Sequence, residues 1–396
     1  MLKIEKFDHS FRGIAKFNGK IVFVKNALPN EVVEINIDKE KKKYIEASVL
    51  KYIKISKERI KPKCKYFGFC GGCDLMHINY KNQLKYKQEK IENIVTKYLK
   101  KDIKINNIIY DSNINYRNKV KFQVSKNIGF YKNESYEVIC IDKCLIANDR
   151  INKCIPYLNK LDLQNINSIT CKTYLDKLMI SIDAKNNINI DPLKDIADSI
   201  YVNNKHVYGI KKLLEQINEY SFVVSSNSFF QINKKVCIKL YNKIKEYVGN
   251  NQNILDLYCG CGTIGIYVSK NNNVLGIEIN KDAVNDALEN KKINNLNNVN
   301  FICGDSSIKT DFKSDIVIVD PPRIGLSKAT INNINILKPQ KIIYVSCNPI
   351  TLVRDLNMFD MYDIIEITPF DMFPNTKHVE CLCLLEIKQN SKKSII

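Results

Sequence analysis

From residue 253 to about residue 387 the chain repeats one pattern: a short apolar run, a polar or glycine-rich turn, then helical spacing. Strands alternating with helices in this way specify an α/β fold with a doubly wound, mostly parallel sheet. The strand candidates are 253–257, 274–278, 300–303, 316–319, 341–346, 363–368 and 380–386. The order has a functional consequence. Open α/β sheets bind ligands outside the carboxyl ends of their strands, so the residues at those ends carry the information.

The first strand enters Asp256-Leu-Tyr-Cys-Gly-Cys-Gly262, where Gly260 and Gly262 let a ligand approach the backbone. The second ends on Glu278, 22 residues after Asp256, where a carboxylate can accept ribose hydroxyls. Asp256 before the turn and Tyr258 within it suit a cofactor without a pyrophosphate. The third strand closes on Cys303-Gly-Asp305, a position where an acid can meet an adenine amino group. The fourth runs into Asp320-Pro-Pro-Arg323. Its two prolines stiffen the strand exit, leaving Asp320 to face cofactor or base and Arg323 to hold a phosphate or a base carbonyl.

The fifth run delivers Cys347, in Ser346-Cys-Asn-Pro349. A thiol needs a nearby charge or a helix N-terminus to become a thiolate. Pro349 marks the first turn of a helix, whose dipole is expected to lower the Cys347 pKa. Glu380 enters the last apolar run, and burial there is expected to raise its pKa and make it a base.

The turn, Glu278, Asp305 and Asp320 together resemble the S-adenosylmethionine site of class I methyltransferases. Methylation at C5 of a pyrimidine is the chemistry that adds a cysteine and a base to that cofactor. C5 is a poor nucleophile until a thiolate adds at C6, and its proton must leave before the thiol can.

With Phe229-Phe-Gln-Ile-Asn233, Asp256-Leu-Tyr-Cys-Gly260, Asp320-Pro-Pro-Arg323, Ser346-Cys-Asn-Pro349 and His378-Val-Glu380, the chain resembles the RNA uracil-5-methyltransferase family over nearly its whole length. The resemblance implies that Gln231, Tyr258, Glu278 and Asp320 contact S-adenosylmethionine, with Thr263 and Asp305 as weaker members. It implies Cys347 as nucleophile and Glu380 as base. Tyr258, where many members have Phe, and Ile324 after Arg323 are mild departures.

There are 14 cysteines. Cys64, Cys70 and Cys73 share a loop with Gly71 and Gly72, and Cys144 lies downstream. This set resembles the 4Fe–4S site of the family's iron–sulfur branch. Cys140 competes for the fourth position, and a zinc ion with His77 is the alternative metal. A structural and RNA-positioning role is expected of the cluster. Cys154, Cys171, Cys237, Cys381 and Cys383 read as core, and Cys259 and Cys261 as small residues of the cofactor turn.

Charge separates the two halves. Residues 1–150 hold 32 of the 61 Lys and Arg but 17 of the 42 Asp and Glu. Such a basic region favours a polyanion. Alternating short strands in 1–55, with Lys39 and Lys41 to Lys43 at a hairpin tip, read as a small β-barrel and resemble the RNA-binding TRAM domain. Tyr116-Arg-Asn-Lys119 is read equally as an RNA contact and a solvated turn. The expected domains are 1–55, a central α+β domain at 56–225, a methyltransferase domain at 226–390 and a tail at 391–396.

No apolar stretch approaches a membrane span, and no signal-type segment opens the chain. A cytoplasmic monomer is expected. RNA is the expected partner, with 23S rRNA favoured and tRNA open. Two other functions remain. An RNA cytosine-5-methyltransferase would usually carry a second cysteine in the fourth-strand motif, where this chain has Asp-Pro-Pro-Arg. A non-catalytic RNA-binding factor would not need Glu278, Asp320, Cys347 and Glu380 together.

Overall fold

The computed structural model describes residues 1–389 other than 100, 227 and 229. Phe229 and the tail 391–396 therefore lie outside the described residues. The expected doubly wound sheet is present and has eight strands. Their order is Val299–Cys303, Asn273–Glu278, Asn253–Leu257, Ile316–Val319, Lys341–Ser346, Glu380–Ile387, Tyr362–Phe370 and Lys104–Ile105. Neighbours are parallel except that Glu380–Ile387 runs antiparallel to both of its own. The chain starts at Asn253–Leu257, works outward, then crosses back to Ile316–Val319. That reversal is the switch point at which open α/β sheets bind ligands.

Period-2 alternation explains why these strands are apolar throughout. Ile254, Ile318, Ile343 and Val345 join one core, while Leu255, Leu257, Val317, Val319, Ile342 and Tyr344 join the core on the other face. A strand buried on both faces cannot alternate with polar residues. The cofactor turn is shaped by one aromatic ring. A Cβ on Gly262, which has φ +77°, would stand 2.5 Å from the Phe301 ring, and one on Gly276 would stand 2.4 Å from it.

Helix Tyr80–Leu99, expected in the central domain, packs on the C-terminal sheet. Its Ile91, Ile94, Val95 and Leu99 join Val379, Cys381 and Leu352 in one core. Lys87 on this helix is fully buried and pairs with fully buried Asp371 at 2.5 Å. Removing one partner of such a pair costs about 3–5 kcal/mol. The following strand, Lys104–Ile105, then forms the edge of the sheet.

Two further sheets precede this one. Residues 2–54 form a six-stranded sheet closed around Ile4, Val22, Val24, Val33 and Ile45. Lys41 to Lys43 are exposed between its two longest strands, as the hairpin-tip reading anticipates. Residues 119–209 build a seven-stranded sheet with helix Asp149–Leu158 against it. Among the described residues no helix is long and apolar enough to cross a membrane.

Candidate active site

Three strand ends bring the candidate reacting groups together. Ser346 pairs with Cys381 in the antiparallel register, so Cys347 follows where Glu380 opens the neighbouring strand. On the other side Val319 pairs with Tyr344, which sets Asp320 next to the same strand end. Glu380, Arg323 and Asp320 all act electrostatically on the Cys347 thiol. The loop is tightly tied. The Asn348 N–H donates to Ser346 Oγ at 3.2 Å, and Asn348 Nδ2 donates to the Arg323 carbonyl at 3.1 Å.

The helix after Cys347 is Pro349–Leu356, with Asn348 as its cap. Its N-terminus does not activate the thiol as expected. Burial, followed by the charge of Glu380, pushes Cys347 up to about 11, and Arg323 offsets only part of this. At the helix end Pro349 has no N–H, and Asn348 Oδ1 accepts the Ile350 N–H.

Glu380 is 3% exposed. Burial, then the charge of Asp320, raises it well above the carboxylate range, against Arg323. Asp320 is raised by burial as well. Two desolvated carboxyls that feel each other's charge disfavour being ionised together. The Arg323 Nη2 lies 3.3 Å from the ring nitrogens of His378, and burial holds that imidazole neutral by lowering it to about 4.

The glycine turn is assembled around two acids. Gly265 donates its N–H to Asp256 Oδ2 at 2.9 Å, while the buried Asp256 Oδ1 has no partner among the described residues. Burial raises Asp256 to about 8. Glu278 accepts the N–H groups of Gly260 at 3.1 Å and Asn280 at 2.8 Å, which leaves lone pairs free for hydroxyl donors. A Cβ on Gly260 would meet nothing within 4 Å, so the turn faces open space. Tyr258 sits at φ +62°, a strained conformation for a tyrosine. These features fit an adenosine-type cofactor. The other expected members are placed differently. Thr263 shares a 2.8 Å hydrogen bond with Tyr241. Asp305 is exposed and folds back on Ser307.

Gln231 is buried and held by a distant part of the chain. Its carbonyl accepts Asn118 Nδ2 at 3.1 Å, and Asn118 N–H donates to Ile232 at 3.0 Å. Tyr116 donates its hydroxyl to the Pro374 carbonyl at 3.0 Å. The segment 116–119 is thus a partly buried strap, which overturns the solvated-turn reading. Buried Lys172 was not singled out from the sequence. Its Nζ donates to the carbonyls of Ser225, Ser226 and Ser228 at 3.1, 2.7 and 3.0 Å, fixing the loop that leads to Gln231. A lysine inside an otherwise inward-facing strand was its only mark.

Cys64, Cys70, Cys73 and Cys144 line one cavity of about 180 Å³, together with Arg117. Burial raises Cys70, Cys73 and Cys144, and the charges of neighbouring thiols in the set add to the shift. Cys140 is not among the lining residues, and its thiol faces the Asn127 carbonyl at 3.5 Å. His77 lines a different cleft. Among the described residues no three His, Cys, Asp or Glu side chains converge on one ion. Two straps run from this loop to the candidate reacting groups. Asp74 and Leu75 donate N–H bonds to the Asn375 carbonyl at 2.9 Å, and Lys377 N–H donates to Asp74 Oδ2 at 3.1 Å, three residues before Glu380. Arg117 N–H donates to the Ile146 carbonyl at 2.8 Å, joining the Cys144 segment to the strap on Gln231.

Known proteins resemble this chain in sequence and fold. Residues 197–307 and 305–388 match the tRNA (uracil-5-)-methyltransferase model, and residues 2–50 match the TRAM domain. An uncharacterized RNA methyltransferase of Caldanaerobacter subterraneus is 33% identical over 438 residues, covering 97% of each chain. The chain belongs to the RNA uracil-5-methyltransferase family. A second member, an uncharacterized RNA methyltransferase of Aquifex aeolicus, is 33% identical and covers 98% of each chain. A solved member, the Pyrococcus abyssi tRNA (uracil-54, C5)-methyltransferase in complex with S-adenosyl-L-homocysteine, has a TM-score of 0.82 and 29% identity over 97% of this chain and 99% of that one. As a member of this family, the protein is an S-adenosylmethionine-dependent RNA methyltransferase with an N-terminal TRAM domain.

Proposed function

We propose that this enzyme methylates C5 of a specific uridine in 23S rRNA through a covalent adduct on Cys347. The observation that carries the mechanism is the convergence of Cys347, Glu380, Asp320 and Arg323 at adjoining strand ends. The Cys347 thiolate adds to C6, and the displaced electron pair moves to the ring carbonyl as an enolate. Arg323 stabilises the anion on either side of that step. S-adenosylmethionine, when bound, supplies the methyl group that C5 attacks. Glu380 then takes the C5 proton, and the returning electrons expel the thiolate. Gln231, Tyr258, Glu278 and Asp320 hold the cofactor, with smaller parts for Thr263 and Asp305. The target carbon is stacked in a helix, so the uridine is flipped or taken from an unpaired loop.

A tRNA target is the second reading, favoured by the solved Pyrococcus abyssi relative, which acts on tRNA. Incubation with 23S rRNA and with tRNA from cells lacking this gene decides between them. Nucleoside mass spectrometry should find 5-methyluridine in the 23S fraction. Methylation of tRNA alone overturns the rRNA assignment, and 5-methylcytidine overturns the uracil chemistry.

The cysteine cavity supports a 4Fe–4S cluster held by Cys64, Cys70, Cys73 and Cys144. Four thiols spread round a space suit a polynuclear cluster better than a single zinc ion. Bound there, a cluster supplies a cross-link between the glycine loop and the 144–147 segment. Anaerobically purified protein should contain about four irons per chain. Cys144→Ser should lose most of that iron, whereas Cys140→Ser should keep it. Equal iron loss in both variants would rule out this ligand set.

A further inference from the structure

We propose that the cleft between the N-terminal sheet and the cysteine loop binds the base of one unpaired nucleotide of the RNA substrate, apart from the target uridine. The proposal rests on RNA being the substrate and says nothing of which uridine is methylated. The cleft measures about 510 Å³ and is lined by Asn26, Tyr52, Arg59, Lys61, Phe67 and His77, among others. No carboxylate is among the described residues that line it.

Its walls are aromatic. On the side of the N-terminal sheet the Arg59 guanidinium stacks over Tyr52, 4.5 Å from the ring centroid. Buried Glu31 fixes that guanidinium with bonds of 2.6 and 2.8 Å, and Tyr52 donates its hydroxyl to the Asn26 carbonyl at 3.0 Å. On the side of the cysteine loop, Phe67 and His77 pack ring to ring with centroids 5.2 Å apart. Flat rings held from both sides make a rigid, low-entropy platform for a base, and stacking on aromatic side chains accepts any base.

His77 is 5% exposed, and its Nδ1 is buried without a partner among the described residues. Burial keeps the imidazole neutral, so it adds an uncharged ring to this wall. The approach is electropositive. Residues 54–65 carry Lys54, Lys57, Arg59, Lys61, Lys63 and Lys65 against a single acid, Glu58. A cationic track beside aromatic rings is the chemistry of single-stranded nucleic acid, with lysines on the phosphates and rings on the bases. The site is also tied to the reacting groups. His77 follows the Asp74–Leu75 clasp on Asn375 by two residues, so a base held here sets the register of the strand that reaches Cys347.

The test reads binding without methyl transfer, so it can fail while uridine methylation stands. Fluorescein-labelled oligo(A) and oligo(U) of about 12 nucleotides are compared with an abasic strand of the same length at fixed salt. Tyr52→Ala should weaken binding of the base-bearing strands by about 5- to 10-fold. It should leave the abasic strand unaffected, and Tyr52→Phe should bind like wild type. Wild-type affinity in Tyr52→Ala, or an equal loss on both kinds of strand, overturns the proposal. A second measurement avoids the variants. A 4-thiouridine oligonucleotide irradiated on the wild-type protein should label peptides containing Tyr52, Phe67 or His77, and labelling found only elsewhere overturns the proposal.

Discussion

Cys347→Ala is expected to abolish methyl transfer and every trace of an RNA–protein adduct. Without addition at C6, C5 lacks the electron density to attack a methyl sulfonium, and no other thiol meets the same three charges. The loss should be about 10⁴-fold or more, the scale on which removing a covalent nucleophile acts. The half-buried site should cost no more than about 1 kcal/mol of stability, so the variant folds and binds cofactor. Single-turnover radiolabel transfer and cofactor titration measure the two quantities. Wild-type kinetics carry a matching signature. Because burial and Glu380 hold the thiol up to about 11, the thiolate is the minor form at neutral pH. Adduct formation should therefore climb with pH across the neutral and mildly alkaline range. Robust turnover by Cys347→Ala, or a rate falling with pH in that range, would refute this role.

Glu380→Gln is expected to divide the reaction in two. Thiol addition and methyl transfer do not require the carboxylate, but removal of the C5 proton does. The methylated adduct should accumulate as a complex that survives denaturing electrophoresis, with turnover lowered about 10²- to 10⁴-fold, the usual contribution of a positioned base. The variant should be at least as stable as wild type. Glu380 is raised above its unfolded value by burial and by Asp320. Its contribution to stability is thus full at low pH and lost as pH rises through the folded pKa. A neutral amide escapes that loss, so Tm should fall less on raising the pH. Normal turnover without a trapped complex would remove Glu380 from the mechanism.

The sheet was legible because its signal is local. Apolar runs such as Ile316–Val319 and Lys341–Ser346 stop at turns whose residue types announce strand ends. The candidate reacting groups were legible for the same reason, since each sits beside a run. What could not be read is what depends on distant partners. Helix Tyr80–Leu99 shows its apolar stripe, yet nothing in that stripe says it covers the sheet formed from residue 253 onward. Lys172, Asp74 and Asn118 act through backbone carbonyls and amides far along the chain, and carbonyls leave no mark on sequence. The Cys347 thiol shows the sharpest divergence. Proline after the cysteine suggests a helix end, but burial and then the carboxylate of Glu380 across the strand set the acidity.

The clasp between the cysteine loop and the strand of Glu380 joins residues 303 positions apart, and the Lys87–Asp371 bond spans 284. On the ribosome the second partner of each pair emerges long after the first. The basic N-terminal sheet can fold early, while helix Tyr80–Leu99 and the cysteine loop wait for strands made about 280 to 300 residues later before they can dock. The proposed reacting centre therefore assembles late. A nascent or truncated chain would hold RNA before it could alter it.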